Sequence, residues 1–325
     1  MNITKIFEGK LPRICRSEIS TEPVSYTHLA DMAAVTQAKP KYVMRRKTRS
    51  FLSTCFRYIV LILVGILMFY PMLWMFGASL KENNNEIFAT INFIPKHPSL
   101  QAYVKGWTAS GFNFGVFMLN TYKVVIPKVI GTVISSVLTA YGFSRFEFIG
   151  KKAMFALMMS TLFLPQVVLN VPQFLLFTSW GWVDTYKPLI VPTFFAGEAY
   201  FVFMLTQFMR SVSREMEEAA EIDGCNSLKR LLYVVVPVVK PAVVSCALFQ
   251  FMWSSNDFQG PLIYVNTTAK YTASLGLRII ADTETGFEWN QVLALSVITI
   301  IPTLIVFFAA QDQFVEGIAA GGVKG

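Results

Sequence analysis

Apolar residues in this chain collect into unbroken runs instead of alternating with polar ones, which is the pattern of helices that cross about 30 Å of hydrocarbon in roughly 20 residues. Six runs qualify: 58–80, 117–144, 153–177, 188–209, 241–264 and 289–311. The first contains no Asp, Glu, Lys or Arg and stops at Lys81, Glu82 and three asparagines, Asn83 to Asn85. The second holds Lys123 and Lys128 in its first half, the fourth Glu198, and the fifth Asp257 near its far end. The pattern predicts an all-α, polytopic membrane protein with six transmembrane helices.

Composition agrees with that pattern. Of 325 residues 54% are hydrophobic and only 15% charged, with a mean hydropathy of +0.49, whereas soluble domains carry about 25% charge. A soluble enzyme is thereby excluded as the default. The 29 Phe outnumber 12 Tyr and 6 Trp, favouring apolar bulk over rings with a polar tip. A net charge of +8 raises the question of nucleic acid, but the cations are not arranged for it. Lys39, Lys41, Arg45, Arg46, Lys47 and Arg49 stand directly before the first run, as cytoplasmic flanks do. With the N-terminus inside, cytoplasmic segments hold 20 Lys and Arg and outer segments six, so both termini are expected in the cytoplasm. The expected division is a basic cytoplasmic tail over 1–57, a transmembrane domain over 58–312 with a cytoplasmic loop at 211–237, and a cytoplasmic tail over 313–325.

Candidate chemistry is sparse. Cys15, Cys55, Cys225 and Cys246 have no CxxC spacing, and His28 and His97 are isolated, so neither a disulfide frame nor a zinc site is expected. No GxxxxGK[ST] occurs, so the chain is not expected to hydrolyse nucleotide itself. Residues 1–38 lack the apolar core of a secretory signal and read as a mobile tail. Between Lys81 and Gly115, Ser99 is placed to cap a short helix in a loop that also carries Pro95, Pro98, Gly106 and Gly111.

The longest polar stretch between runs, 211–237, reads as helix, break, helix. Residues 215–222 are good helix formers with acids toward the positive N-terminal end. Gly224 supplies a C-terminal cap, Asn226 or Ser227 starts a second helix, and Pro237 ends it. The result is a knob that Ala219 and Ala220 leave without bulk on one side. Periodicity alone equally allows an amphipathic loop lying on the membrane surface.

Polar residues at membrane depth mark pathways or hold helices together. Gln166, Asn170 and Gln173 recur at spacings of four and three, with Pro165 and Pro172 loosening their helix. They share one face. Trp253, Asn256 and Asp257 form a comparable face on the fifth run. Glu198, the one carboxylate in mid-run, either lines the pathway or bonds a partner. Lys123 and Lys128 either snorkel to the outer surface or face a pathway, where they favour an acidic substrate.

Glu218-Ala219-Ala220, Asp223-Gly224 and Pro237 resemble the EAA loop of permease subunits in binding-protein-dependent ABC importers, at the family's spacing and in its position. Further matches run from about Pro71 to Gly325 and are similar to the carbohydrate-uptake branch that includes the maltose transporter's smaller permease subunit. They are 141–148 (Tyr-Gly-Phe-Ser-Arg-Phe-Glu-Phe), 180–185 with 189–192, 256–258 with 261–264, and 311–317 with 322–325. Three departures stand out: Ser213 replaces the usual Pro before the knob, Ser254 and Ser255 displace a Trp-Asn pair, and Glu198, Lys123 and Lys128 add charge to neutral spans.

The resemblance implies the type I ABC importer permease architecture in a bacterial cytoplasmic (inner) membrane, carrying sugar or oligosaccharide. It implies a second homologous permease subunit, two copies of an ATP-binding subunit that hold the ATP and Mg, and an extracytoplasmic sugar-binding protein as partners, with lipid around them and no nucleic acid. No cofactor is expected on this chain. The knob would sit in a cleft of the ATPase, with Glu218 pairing a basic residue there, Ala219 and Ala220 allowing close approach, and Asp223 and Gly224 forming the bend. The other class, an ion-coupled secondary carrier with Glu198 or Asp257 relaying protons, needs no such knob and would show duplicated halves, which six runs do not.

Overall fold

The computed structural model describes residues 42–89, 94–282 and 288–322. The tail expected over 1–38 lies outside the described residues. The chain divides into two compact units, 1–67 and 68–325. The described part of the first is the beginning of helix α1 (Tyr42–Ser79), whose apolar stretch is Ser53–Ser79.

Among the described residues all regular structure is helical. The second unit takes up the end of α1 and continues with α2 (Asn84–Ala89), α3 (Gln101–Gly106), α4 (Phe114–Arg145), α5 (Lys151–Thr161) and α6 (Gln166–Ser179). Next come α7 (Lys187–Ile190), a 3-10 turn (Val191–Phe195), α8 (Ala199–Ser211), α9 (Arg214–Ile222) and α10 (Ser227–Arg230). A π-helical turn (Leu231–Val235) and Val236–Val238 lead to α11 (Lys240–Ser255), α12 (Gln259–Tyr264), α13 (Ala273–Ala281) and α14 (Trp289–Gly322). Four stretches are long and apolar enough to cross a membrane, Ser53–Ser79, Phe114–Arg145, Lys187–Ser211 and Trp289–Gln313, and two bent pairs bring the number to six if each pair is one crossing.

The runs read as continuous in the sequence differ from the structure at three places. The third run breaks between α5 and α6, which meet at 102°. Pro165 donates no backbone hydrogen bond and biases Leu164 away from helical geometry, so the chain turns there. The fourth breaks at Ala196, whose φ is +55°, and resumes at α8. The fifth begins at Lys240 after an 83° bend and ends at Ser255, with α12 following as a separate short helix. At the far end α14 passes the expected boundary near 311 without a breaker and runs to the glycine pair at its end. Ser99 behaves as its position suggests: its Oγ accepts the Gln101 N–H at 3.2 Å.

Helix α4 is the spine of the second unit and packs along α8 and α11. Its two faces differ. Ile126, Ile130, Ile134 and Leu138, at successive i, i+4 positions, are exposed and form an apolar stripe suited to lipid or to another membrane helix. The inward face is small and polar: Gly131, Thr132, Ser135, Ser136 and Ala140 are buried, as at close helix contacts in membranes. Ser135 Oγ donates to Thr193 O at 2.7 Å. A Cβ on Gly131 would lie 2.6 Å from Phe194 Cδ2 and 2.8 Å from Thr193 Oγ1, so α4 reaches the 3-10 turn only because no side chain intervenes.

Apolar clusters follow α4 along its length. Phe114 and Phe117 pack with Ala273, Ile280 and Leu295 at its start, Val124 with Phe177, Leu189, Tyr264 and Val265 further on, and Val137, Ala140 and Tyr141 with Phe201, Leu205, Met209, Leu231 and Val235 toward its end. The Gly131→Ala variant forces Phe194 and Thr193 aside, and overpacking of this kind costs about 1–3 kcal/mol. The thermal unfolding midpoint in detergent should fall accordingly, and an unchanged midpoint would show that the turn yields freely.

Candidate functional site

Two places gather the chemistry. The first is the knob. Ser213 Oγ accepts the Glu215 N–H at 3.3 Å and caps α9, taking the role of the expected proline at that end. At the other end Gly224, with φ +83°, donates to Glu221 O at 3.0 Å while Cys225 N–H donates to Ala220 O at 2.9 Å. That double bond pattern is a Schellman cap, which needs the left-handed residue at Gly224. Asn226 Oδ1 then accepts the Lys229 N–H at 2.9 Å and starts α10. Pro237 has no N–H for the carbonyl four residues back. The π-helical turn just before it, closed by Val236 N–H to Leu231 O, absorbs the mismatch.

The acids of α9 have separate tasks because residues four apart share a face and adjacent ones do not. Glu217 points into the protein, and Glu221, exposed, lies on the side of α9 that meets α10. The Arg230 guanidinium clasps Glu221 and also donates to Ser227 Oγ at 3.2 Å, closing the two knob helices on each other. Glu217 is buried against the end of α4. Its Oε1 lies 2.5 Å from Arg145 Nε, its Oε2 accepts from Tyr141 Oη at 3.1 Å, and Arg145 Nη2 donates to Val212 O at 3.0 Å. Glu218, one position on, is exposed, forms no ion pair with Arg214 four residues earlier, and has no partner among the described residues. Ala219, Asp223 and Gly224 are exposed beside it, with Ala220 half-buried.

The second place is a cavity of about 400 Å³ between α4, α6, α7, α8 and α12. Gln166, Asn170 and Gln173 line it together, and Gln166 Nε2 donates to Gln173 Oε1 at 3.5 Å. Glu198 lines it from the start of α8, half-buried and without a partner among the described residues. Asp257 lines it from the break before α12, where its Oδ1 accepts the Gly260 N–H at 3.0 Å. Lys128 completes the wall and reaches Asp257 Oδ2 at 3.6 Å. The two lysines of the second run therefore part: Lys123 is exposed and donates to Asn120 Oδ1 at 3.3 Å, whereas Lys128 faces the cavity. Trp253 stands outside the cavity wall, among Tyr200, Phe201 and Phe249. Asn256 is exposed and turns its amide back to Met252 O at 2.8 Å.

A polar clamp holds two of the cavity's walls in register. Asp184, in the loop after α6, has φ +59° and donates its N–H to Tyr264 O at 2.7 Å. Its carboxylate accepts from Lys270 Nζ at 2.6 Å, from Thr267 Oγ1 at 2.7 Å and from the N–H groups of Thr267 and Asn266. The Lys270 ammonium first, then the Thr267 backbone and hydroxyl donors, hold this carboxyl well below the usual carboxylate range. Sequence reasoning did not single out this clamp or the Arg145–Glu217 pair. The signal that was available is that adjacent acids in a helix lie about 100° apart, so Glu217 and Glu218 fall on different faces.

A helical chain with apolar crossing segments, a polar cavity among them and an acid-rich knob at their end is a membrane permease by class. The chain belongs to the family described as binding-protein-dependent transport system inner membrane component, whose model matches residues 131–319. It is 27% identical over 280 residues to a galactooligosaccharides transport system permease protein of Bacillus subtilis (strain 168), covering 86% of this chain and 98% of that one. It is 28% identical over 264 residues to a trehalose/maltose transport system permease protein of Thermococcus litoralis, covering 81% and 94%. Its fold matches a chain in the crystal structure of a bacterial ABC transporter involved in the import of the acidic polysaccharide alginate, with a TM-score of 0.70 and 22% identity over 83% of this chain and 98% of that chain.

A depressed carboxyl pKa adds stability above the unfolded value and loses it as pH falls through the folded one. For Asp184 the ordinary value is 3.8. The Asp184→Asn variant, which keeps the left-handed tolerance, should therefore unfold at a lower temperature than wild type by an amount that is constant from neutral pH down to about pH 5 and shrinks only below about pH 4. A gap that closed near neutrality would remove the carboxylate from this role.

Proposed function

We propose that the chain is one of two permease subunits of an ATP-driven importer for sugars or oligosaccharides in the bacterial cytoplasmic membrane. It crosses the membrane six times with both termini in the cytoplasm, the tails flanking a permease domain over 58–312. The observation that carries this reading is the knob: a rooted, doubly capped helix pair that offers Glu218 and a low, alanine-lined side outward, in a chain of this family. A separate ATPase pair holds ATP and Mg and receives the knob in a cleft, where Glu218 meets a basic side chain. Nucleotide-driven closure then pulls the knob and alternates the pathway between the two sides, while a sugar-binding protein delivers the cargo from outside.

The names of the relatives support oligosaccharide cargo, and the cavity wall is suited to it. Amides at Gln166, Asn170 and Gln173 both donate to and accept from hydroxyls, and the carboxylates of Glu198 and Asp257 accept from them. With Lys128 paired to Asp257, Glu198 leaves the wall with an uncompensated negative charge, which does not favour an acidic cargo at this subunit. The ion-coupled alternative loses support from the knob and from family membership.

Reconstituted with its co-purifying partners, the wild-type complex should take up sugar only with ATP and a binding protein. Uptake driven by a proton gradient without ATP would overturn the reading. Glu218→Lys should leave the membrane complex assembled and reduce transport at least about tenfold, a coupling loss within the usual span of allosteric energies. Normal uptake in that variant would remove Glu218 from the docking contact.

A further inference from the structure

We infer that Arg145 and Glu217 are positioning residues that fasten the knob to the end of α4, so that a displaced knob carries α4, and with it the wall of the cavity, as one body. The inference rests on the reading of the knob as an ATPase handle and adds to it the route by which the pull enters the membrane.

The pair is an ionic contact between Nε and Oε1 that lacks hydrogen-bond alignment, and each side chain is held in addition by a hydrogen bond to a further partner. Arg145 and Glu217 side chains are only 8% and 7% exposed. The carboxylate meets Arg145 through one oxygen and Tyr141 through the other, while the guanidinium also holds Val212 O at the start of the loop. Tyr141 and Val212, which bond to the pair, belong to one apolar cluster with Leu231 and Val235. A buried ion pair of this kind is weak evidence for stability, because well-packed apolar groups in its place are often neutral or better. Its better-attested use is to fix one arrangement against its alternatives. Here the arrangement that it fixes is α9 against α4.

What lies midway along α4 gives the attachment its consequence. Lys128 precedes Arg145 by 17 positions on the same helix, a separation of about 25 Å at 1.5 Å per residue. It stands in the cavity wall and pairs with Asp257 on the segment before α12. The knob is also continuous with α8 through Ser211 to Ser213 and with α11 through the π-helical turn, but both routes pass through a bend or an irregular turn. The Arg145–Glu217 pair reaches a helix that continues unbroken to the cavity.

The test separates coupling from simple support of the fold. In proteoliposomes containing the whole complex, ATP hydrolysis and sugar uptake are measured together for wild type and for Glu217→Gln. We expect uptake to fall at least about tenfold while hydrolysis falls no more than about twofold, so that ATP consumed per sugar rises. Proportionate loss of both activities, or loss of neither, overturns the inference. Where Glu217→Gln does not assemble with its partners, Arg145→Lys is measured in the same way, since it keeps the cation and loses the planar fork that spans Glu217 and Val212. A raised ATP-to-sugar ratio in it supports the inference and an unchanged ratio overturns it. A wild-type complex that takes up no sugar with ATP defeats the reading of the knob as a handle. ATP-dependent uptake in wild type with an unchanged ratio in the variants defeats only the attachment.

Discussion

Hydrocarbon offers no partner to a backbone N–H or C=O, so irregular backbone at membrane depth survives only where protein or a polar cavity satisfies it. Three of the places where this chain breaks its apolar helices lie at a polar cavity. The break at Pro165 leaves Gln166 at the start of α6, the break at Ala196 leaves Glu198 at the start of α8, and the break after Ser255 leaves Asp257 before α12. All three polar side chains line the same cavity. These breaks and the cavity are thus linked: three of the side chains that make the cavity polar sit at or just before the helix starts that the breaks create.

Helix ends also explain why two carboxylates are tolerated there. A helix N-terminus carries partial positive charge, and Glu198 and Asp257 sit at the starts of α8 and α12. Asp257 gains more, from the Gly260 N–H and from Lys128. Glu198 has only the helix end. The cavity charges are therefore of two kinds, a neutralised pair that ties α4 to the segment before α12 and a lone carboxylate open to whatever enters. The clamp around Asp184 stabilises the same region from outside it, because the segments that it joins continue into Leu189 and Tyr264, two members of the apolar cluster beneath the cavity.

Much of this was legible in the sequence, and the reason differs from feature to feature. The helical class follows from runs too long and too apolar for any other use. The Gln166, Asn170 and Gln173 face follows from spacing alone, since four and three residues return a helix to the same side. The Schellman cap at Gly224 and the start at Asn226 follow from residue type, because few residues serve in either role. The bends at Pro165 and before Pro241 were harder: proline announces a disturbance, but whether a membrane helix kinks or folds back depends on what packs around it. Trp253 and Asp257 lie four positions apart yet face different surroundings, because the helix ends at Ser255 between them. Helical spacing cannot be carried across a terminus that the sequence does not mark.

Two of the charges left open by the sequence, Lys128 and Asp257, are settled by a contact between distant segments. Lys128 looks like Lys123 in the sequence, and only Asp257, 129 positions away, distinguishes them. Glu217 looks like Glu218, and only Arg145 and Tyr141, on a helix that ends before the third apolar run begins, assign it inward. In a chain with so few charges each long-range ionic contact restricts the alternatives strongly, since an unpaired partner left in a dry interior is costly. The fold is shared at 22% identity with a chain of another transporter. What the individual permease does with that fold then depends on the handful of ionic contacts that connect its breaks, its cavity and its knob.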